Sequence, residues 1–227
     1  MAKGVFITGT DTEIGKTLVS CLLIDALVQE GNQVIGMKPI ASGAEKVNGR
    51  LQNEDAIHLM RHSNIEMPYS SVNPYCFQPP IAPHIAARQN GQQIEIAMIQ
   101  RAYKNLAQEA DWVIVEGVGG WKVPINNEEM VSDLASGLDL PIIMVVGMKL
   151  GCINHALLTA SAIRANGNRL IGWVANQLSL QMPVYKENLQ ALQNLLQCPL
   201  IAEIPYLQDD QSDLKKPINI NLDHLKS

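Results

Sequence analysis

The stretch that decides the fold reads Gly9-Thr10-Asp11-Thr12-Glu13-Ile14-Gly15-Lys16-Thr17. The short apolar run Val5-Phe6-Ile7-Thr8 precedes it, and Lys16 opens a segment of helical length that ends at Gln29. A strand, a Gly-Lys-Thr turn and a helix form the context in which a glycine loop binds phosphate. Backbone N–H groups of the loop and the helix N-terminus would cradle the phosphate oxygens, with Lys16 reaching the β/γ oxygens and Thr17 reaching a magnesium ion. The spacing departs by one residue from the common G-x-x-x-x-G-K-[ST]: Thr10 stands at the usual first glycine and Gly9 lies one step earlier. A chance Gly-Lys-Thr at a helix start is the bland alternative, and the flanking strand and helix weigh against it.

Working outward, short apolar runs predict strands at 5–8, 34–37, 112–115, 142–146, 171–175 and 200–204. Helices are predicted at 16–29, 54–61, 94–108, 131–137, 154–165 and 185–197. This alternation implies βαβ units and a parallel sheet. The expected fold is therefore α/β: a three-layer P-loop NTPase-type fold with a mostly parallel central sheet flanked by helices. Gly31, Gly137 and Gly167 fall where helix C-caps belong. The proline-rich residues 74–83 read as an ordered loop before a helix. A single domain over 1–227 is expected, with a polar, weakly patterned tail from about 209.

Of the 227 residues, 47% are hydrophobic but only 4% aromatic, so aliphatic side chains must fill the core, as in a buried parallel sheet. Seventeen Lys and Arg against 22 Asp and Glu give a net charge of −5, which argues against nucleic acid as the main partner. Cysteines 21, 76, 152 and 198 form no C-x-x-C pair and read as reduced thiols of a cytoplasmic protein. The apolar run at the N-terminus is too short for a signal sequence, and the run 142–146 is too short to span a bilayer.

Further candidates follow from strand ends. Ligands bind at the carboxyl edge of a parallel sheet. Glu116 closes the strand at 112–115 and precedes Gly117, Gly119 and Gly120, so it is a candidate metal ligand rather than a plain surface carboxylate. Lys38 follows the second strand at the edge that faces the same crevice, with Pro39 stiffening the exit, and is equally readable as a cation beside the phosphates or as a solvated surface lysine. Asp55, in Asn53-Glu54-Asp55-Ala56, is equally readable as a metal ligand or as a first-turn acid favoured by the helix dipole. His58 and His62 share a helix face but lack a third ligand, so a polar face outweighs a metal site. Gly151-Cys152-Ile153-Asn154 precedes a helix, either as an anion site or as a turn with Asn capping.

Together these motifs resemble the dethiobiotin synthetase family. The matching strings are GTDTEIGKT at 9–17, KPIASG at 38–43, NEDA at 53–56, EGVGG at 116–120, MKLGCINHA at 148–156, GWVAN at 172–176 and EIPYL at 203–207. The resemblance implies a cytoplasmic homodimer that closes the ureido ring of dethiobiotin from 7,8-diaminopelargonate, CO2 or bicarbonate, and ATP with Mg2+. The route it implies runs through a carbamate and a mixed carbamic–phosphoric anhydride.

It also implies roles for residues. Lys16, Lys38 and Thr12 would be catalytic, and Thr17, Asp55 and Glu116 would hold Mg2+. Nucleotide contacts would come from Glu13, Ile14, Gly15, Lys16, Thr17, Leu18, Asp55, Glu116, Gly117, Val118 and Gly119. Asn176 would read adenine, with Gln177 and the backbone of Pro205, Tyr206 and Leu207 beside it. Ser42 would contact substrate. Gly151, Cys152, Ile153 and Asn154 would hold the substrate carboxylate of the partner subunit, assisted by Tyr185.

Rival readings are a small P-loop kinase, a cobyrinate-type amide synthase and a partition-type switch ATPase. The amide synthase usually carries a glutaminase domain for which this chain is too short. The switch ATPases carry a signature lysine where this chain has Asp11. A degenerate regulatory domain of the same fold is a further rival, and Lys16, Thr17, Asp55 and Glu116 argue against it.

Overall fold

The computed structural model describes residues 2–207 and 218–225. In chain order the elements are β1 (Lys3–Gly9), α1 (Lys16–Gln29), β2 (Val34–Met37), β3 (Ile40–Ser42), β4 (Glu45–Val47), β5 (Arg50–Gln52), α2 (Glu54–His62), α3 (Tyr69–Val72) and β6 (Tyr75–Phe77). There follow α4 (Pro83–Gln89), α5 (Ile96–Glu109), β7 (Trp112–Glu116), α6 (Val131–Leu138), β8 (Ile142–Met148), α7 (Cys152–Ala165), β9 (Leu170–Gln177), α8 (Tyr185–Leu195), β10 (Leu200–Ile204) and a 3-10 turn at Asp223–Leu225.

Six strands form the central sheet in the order β10-β9-β8-β1-β7-β2, and every pairing in it is parallel. Side chains alternate across the sheet because successive strand residues point to opposite faces. Val5 and Ile7 of β1 pack with α1, with Leu59 of α2 and with the C-terminal Leu222 and Leu225. Phe6 points the other way, into the layer built by α5, α6, α7 and α8. Both faces are thus covered, which explains the unbroken apolar strands: all seven residues of β8 are buried. Fully burying each such aliphatic side chain is worth about 1.5–3 kcal/mol. The three-layer parallel architecture agrees with the sequence expectation.

Several boundaries differ. Gly137 lies inside α6, and the left-handed cap is taken by Asp139, with φ 52°. Gly31 and Gly167 do adopt left-handed φ just beyond α1 and α7. Helix α7 begins at Cys152 with Gly151 as its N-cap, so Asn154 sits in the first turn and caps nothing. Glu95 is the extended residue before α5, which starts two residues later than expected. The proline-rich loop contains β6, which pairs with β3. Of the expected tail, 208–217 lies outside the described residues. Residues 218–225 dock on the α1 face, where the Asn221 N–H donates to the Ile201 carbonyl.

Candidate active site at the carboxyl edge of the sheet

Strand β1 lies between β8 and β7, and the chain crosses over it on passing from β7 to β8. That reversal opens a crevice at the carboxyl ends of the strands, where α/β sheets bind ligands. The loop of residues 10–15 fills this position. The Thr10 N–H donates to the Val145 carbonyl at 3.0 Å, and Asn176 Nδ2 donates to the Ile14 carbonyl at 2.8 Å. Glu13 and Gly15 turn the chain through left-handed φ of 55° and 84°. A Cβ on Gly15 would lie 2.2 Å from Asn176 Nδ2, so only glycine fits this bend and this close approach.

Lys16 opens α1 and folds back so that Nζ donates to the Asp11 carbonyl at 2.8 Å. Burial lowers its pKa to about 8; the Lys38 ammonium adds to that, against the pull of Glu116, Asp55 and Asp11. Lys149, just after β8, donates to Asp11 Oδ2 at 2.8 Å and holds that carboxyl below its ordinary range. The position that carries a lysine in the switch ATPases is here an acid paired to a lysine from another loop.

Lys38 is the electrostatic centre of the crevice. Its Nζ lies 2.5 Å from Glu116 Oε1, 2.8 Å from Asp55 Oδ2 and 3.4 Å from the Gly117 carbonyl. Lys38 is 3% exposed and Glu116 1%. Burial alone would lower the Lys38 pKa, but Glu116 and Asp55 outweigh it and hold the ammonium above its ordinary range. Burial likewise pushes Asp55 up, and Lys38, with a Thr17 hydrogen bond, more than reverses it. Thr17 Oγ1 donates to Glu116 Oε1 at 2.9 Å, while Glu116 Oε2 is buried without a hydrogen-bond partner. Carboxylates from α2 and β7 thus converge on one cation, the α1 hydroxyl of Thr17 joins them through Glu116, and one carboxylate oxygen is left over. A hard divalent ion takes such a donor set.

A cleft of about 760 Å³ runs along this edge. Thr12, Glu13, Gly15, Lys16, Thr17, Lys38, Ser42, Asp55, Glu116, Val118 and Gly119 line it. Ser42 Oγ is buried in its wall without a partner. Its far side is built from Gly43, Asn53, Glu54 and 80–83, with Val123, none of which the sequence motifs had named as a site.

The remaining expected contacts lie elsewhere. Ile14 is buried, and Leu18 packs on the α1-side core. Asn176 and Gln177 end β9 beside the phosphate loop, and Pro205–Leu207 leave β10 at the same edge. Gly151 and Asn154 are exposed, Cys152 is buried, and Ile153 packs on the core; Tyr185 starts α8 nearby, its phenol pKa pushed up by burial and by Glu203. None of these six segments lines the 760 Å³ cleft. His58 pairs with Glu54 and His62 with Asp25, and among the described residues no group of three His, Cys, Asp or Glu forms a metal site.

The loop, the sheet order and the lysine at the helix start put the chain among the P-loop nucleotide-binding proteins. Solved structures agree on the fold: the MinD cell division protein of Aquifex aeolicus superposes with TM-score 0.61 at 17% identity, covering 99% of this chain and 95% of that one. A ParA family ATPase from Chlorobium tepidum gives TM-score 0.57 at 15% identity, covering 92% and 87%.

The family model described as "AAA domain" matches residues 3–212. Curated relatives narrow this further. The ATP-dependent dethiobiotin synthetase BioD of Nitrosospira multiformis is 48% identical over 221 residues, 97% of this chain and 96% of that protein. BioD 1 of Escherichia coli K12 is 43% identical over 222 residues (98% and 99%), and BioD 1 of Salmonella typhi is 45% identical over 207 (91% of each). The chain belongs to the dethiobiotin synthetase family.

Proposed function

We propose that this chain is an ATP-dependent dethiobiotin synthetase, a carbon–nitrogen ligase of biotin biosynthesis that acts on 7,8-diaminopelargonate and CO2. One observation carries the reading furthest. The buried Lys38 ammonium, just beyond β2, and the phosphate-loop Lys16, at the start of α1, face one cleft beside Asp55 and Glu116. Phosphoryl transfer needs positioned charge more than a protein nucleophile.

In this reading one amine of the substrate takes up CO2 as a carbamate. A carbamate oxygen attacks the γ-phosphorus, ADP leaves, and the second amine then attacks the carbonyl carbon and expels phosphate. Lys16 and Lys38 offset the charge on the transferring group. Holding both amines in one substrate makes ring closure intramolecular. Thr17, Asp55 and Glu116 would hold Mg2+, with the unpaired Glu116 Oε2 as the observation that fits it. The ion, when bound, supplies positive charge at the β/γ phosphate oxygens.

Asn176 and 205–207 form the adenine side, and Ser42 is a substrate contact. The carboxylate pocket is Gly151–Asn154 with Tyr185, serving the partner of a homodimer. Four exposed apolar side chains near that pocket support such an interface: Leu150 (99% exposed), Leu158, Leu180 and Val184. All four cysteines are free, which suits a cytoplasmic enzyme, and among the described residues no helix is long and apolar enough to cross a membrane.

The test is ADP release with ATP, Mg2+ and each co-substrate omitted in turn. Release should need both the diamine and CO2. Equal release without the diamine would refute the assignment.

A further inference from the structure

Behind the cleft wall lies a set of hydrogen bonds that no reacting group uses. The Tyr69 hydroxyl, in α3, donates to Asn73 Oδ1 at 2.8 Å and accepts the Asn53 backbone N–H at 2.8 Å. Asn73 is 3% exposed, and its Nδ2 donates to the Lys38 carbonyl at 2.6 Å and to the Tyr75 carbonyl at 3.1 Å. The Lys38 N–H in turn donates to the Val72 carbonyl at 3.0 Å. Asn53, 6% exposed, caps α2 by accepting the Ala56 N–H, and its Nδ2 donates to the Ser42 carbonyl at 3.3 Å.

Three segments of the cleft therefore hang on one hydroxyl and two carboxamides: Lys38 beyond β2, Ser42 in β3, and the first turn of α2 that carries Asp55. These segments span residues 38–55, outside the six strands of the main sheet, and Tyr69 and Asn73 reach them from α3 and the residue that follows it. The backbone of Lys38 is gripped on both its N–H and its carbonyl, which fixes where its side chain starts.

We propose that Tyr69, Asn73 and Asn53 are positioning residues for the ligase reaction, setting Lys38 and Asp55 at the separation the cleft requires. The inference rests on the function proposed above. A misplacement of about 1 Å far from the reacting atoms can cost on the order of 100-fold in rate. Burial also raises the Tyr69 pKa, so its hydroxyl stays a donor throughout the working range of pH.

The test is Tyr69→Phe, which keeps the ring and removes only the hydroxyl. Three quantities are measured against the wild type: kcat for dethiobiotin formation, ADP affinity by calorimetry with and without Mg2+, and the melting temperature. A positioning role predicts a kcat about 10–100-fold lower. It also predicts a several-fold loss of the Mg2+-dependent part of ADP affinity, with metal-free ADP affinity unchanged because the phosphate loop is untouched. A purely structural role would lower only the melting temperature, and that result overturns the proposal.

Should Tyr69→Phe fail to fold, Asn53→Ser decides instead. Serine still caps α2 but cannot reach the Ser42 carbonyl as a carboxamide does. The diamine KM should rise several-fold; an unchanged KM and unchanged Mg2+-dependent affinity overturn the proposal. If the wild type itself forms no dethiobiotin, the proposed function fails, while the Mg2+-dependent ADP affinity still decides the network.

Discussion

Replacing Lys38 by methionine removes one charge from the most buried ionic group of the cleft and leaves a side chain of similar length. At 2.5 Å the Lys38–Glu116 attraction is about 7 kcal/mol for an effective dielectric near 20. Most of that is offset by the cost of taking both charges out of water. The variant keeps the cost for Glu116 and loses the attraction. Removing one partner of such a pair typically destabilises by about 3–5 kcal/mol.

Glu116, 1% exposed, carries nearly all of this. Asp55 is 41% exposed, is rehydrated, and adds little. For a chain of this size the loss is about 6–20 °C in melting temperature. The pH window follows from the shifts. The raised Lys38 pKa gives stability that is present below the ordinary lysine value and lost only as pH rises through the folded one. The lowered Asp55 pKa gives stability present above 3.8 and lost as pH falls further. Neutral pH therefore shows the full effect.

The assay is urea unfolding at neutral pH of Lys38→Met and of Lys38→Met with Glu116→Gln. The double variant leaves no unpaired buried charge and should recover most of the loss. A single variant within about 0.5 kcal/mol of wild type, the range of an ordinary surface change, would refute the reasoning. So would a double variant no more stable than the single one.

Other expectations follow from the same geometry. Lys16, with a folded pKa of about 8, should be about half charged there in the free protein, so ADP binding near pH 8 should take up about half a proton. Calorimetry in two buffers of different ionisation enthalpy measures this, and zero uptake contradicts it; without ligand, stability should rise with pH between about 8 and 10.5. Gly15→Ala should cost about 1–2 kcal/mol for its left-handed backbone and more for the clash with Asn176, weakening ADP binding at least about tenfold, a loss of about 1.4 kcal/mol. Gly31→Ala has the same φ sign and open space around it, so it should show the strain without the loss of ADP affinity. A heterodimer of Lys16→Ala with Asn154→Asp should regain about half the wild-type activity if each site is shared between subunits; activity no higher than the mean of the two mutant homodimers would exclude sharing.

The phosphate loop was legible because its chemistry is local: glycines, a lysine and a hydroxyl fall within nine residues and need only a strand before and a helix after. The six sheet strands were legible because burial on both faces leaves continuous aliphatic runs. Lys38 and Glu116 could be placed at one edge from strand order alone, but their 2.5 Å contact could not, since it joins residues 78 apart.

The Tyr69–Asn73–Asn53 network was invisible for the same reason, although Asn before Glu-Asp-Ala is a readable helix cap. Strands β3 to β6 are three residues each, too short for a period to register. Gly137 misled because the helix tolerates it: its Cα faces Ile96 and Gln100 of α5 at close range, and the left-handed turn falls on Asp139.

The central claim is that this cleft builds the ureido ring of dethiobiotin. It is tested most directly by incubating the protein with ATP, Mg2+, 7,8-diaminopelargonate and bicarbonate labelled with carbon-13, followed by mass spectrometry. The account predicts dethiobiotin heavier by the single labelled carbon, formed in step with ADP and abolished by Lys16→Ala. ADP release without labelled product, or the same product yield from Lys16→Ala, would contradict it.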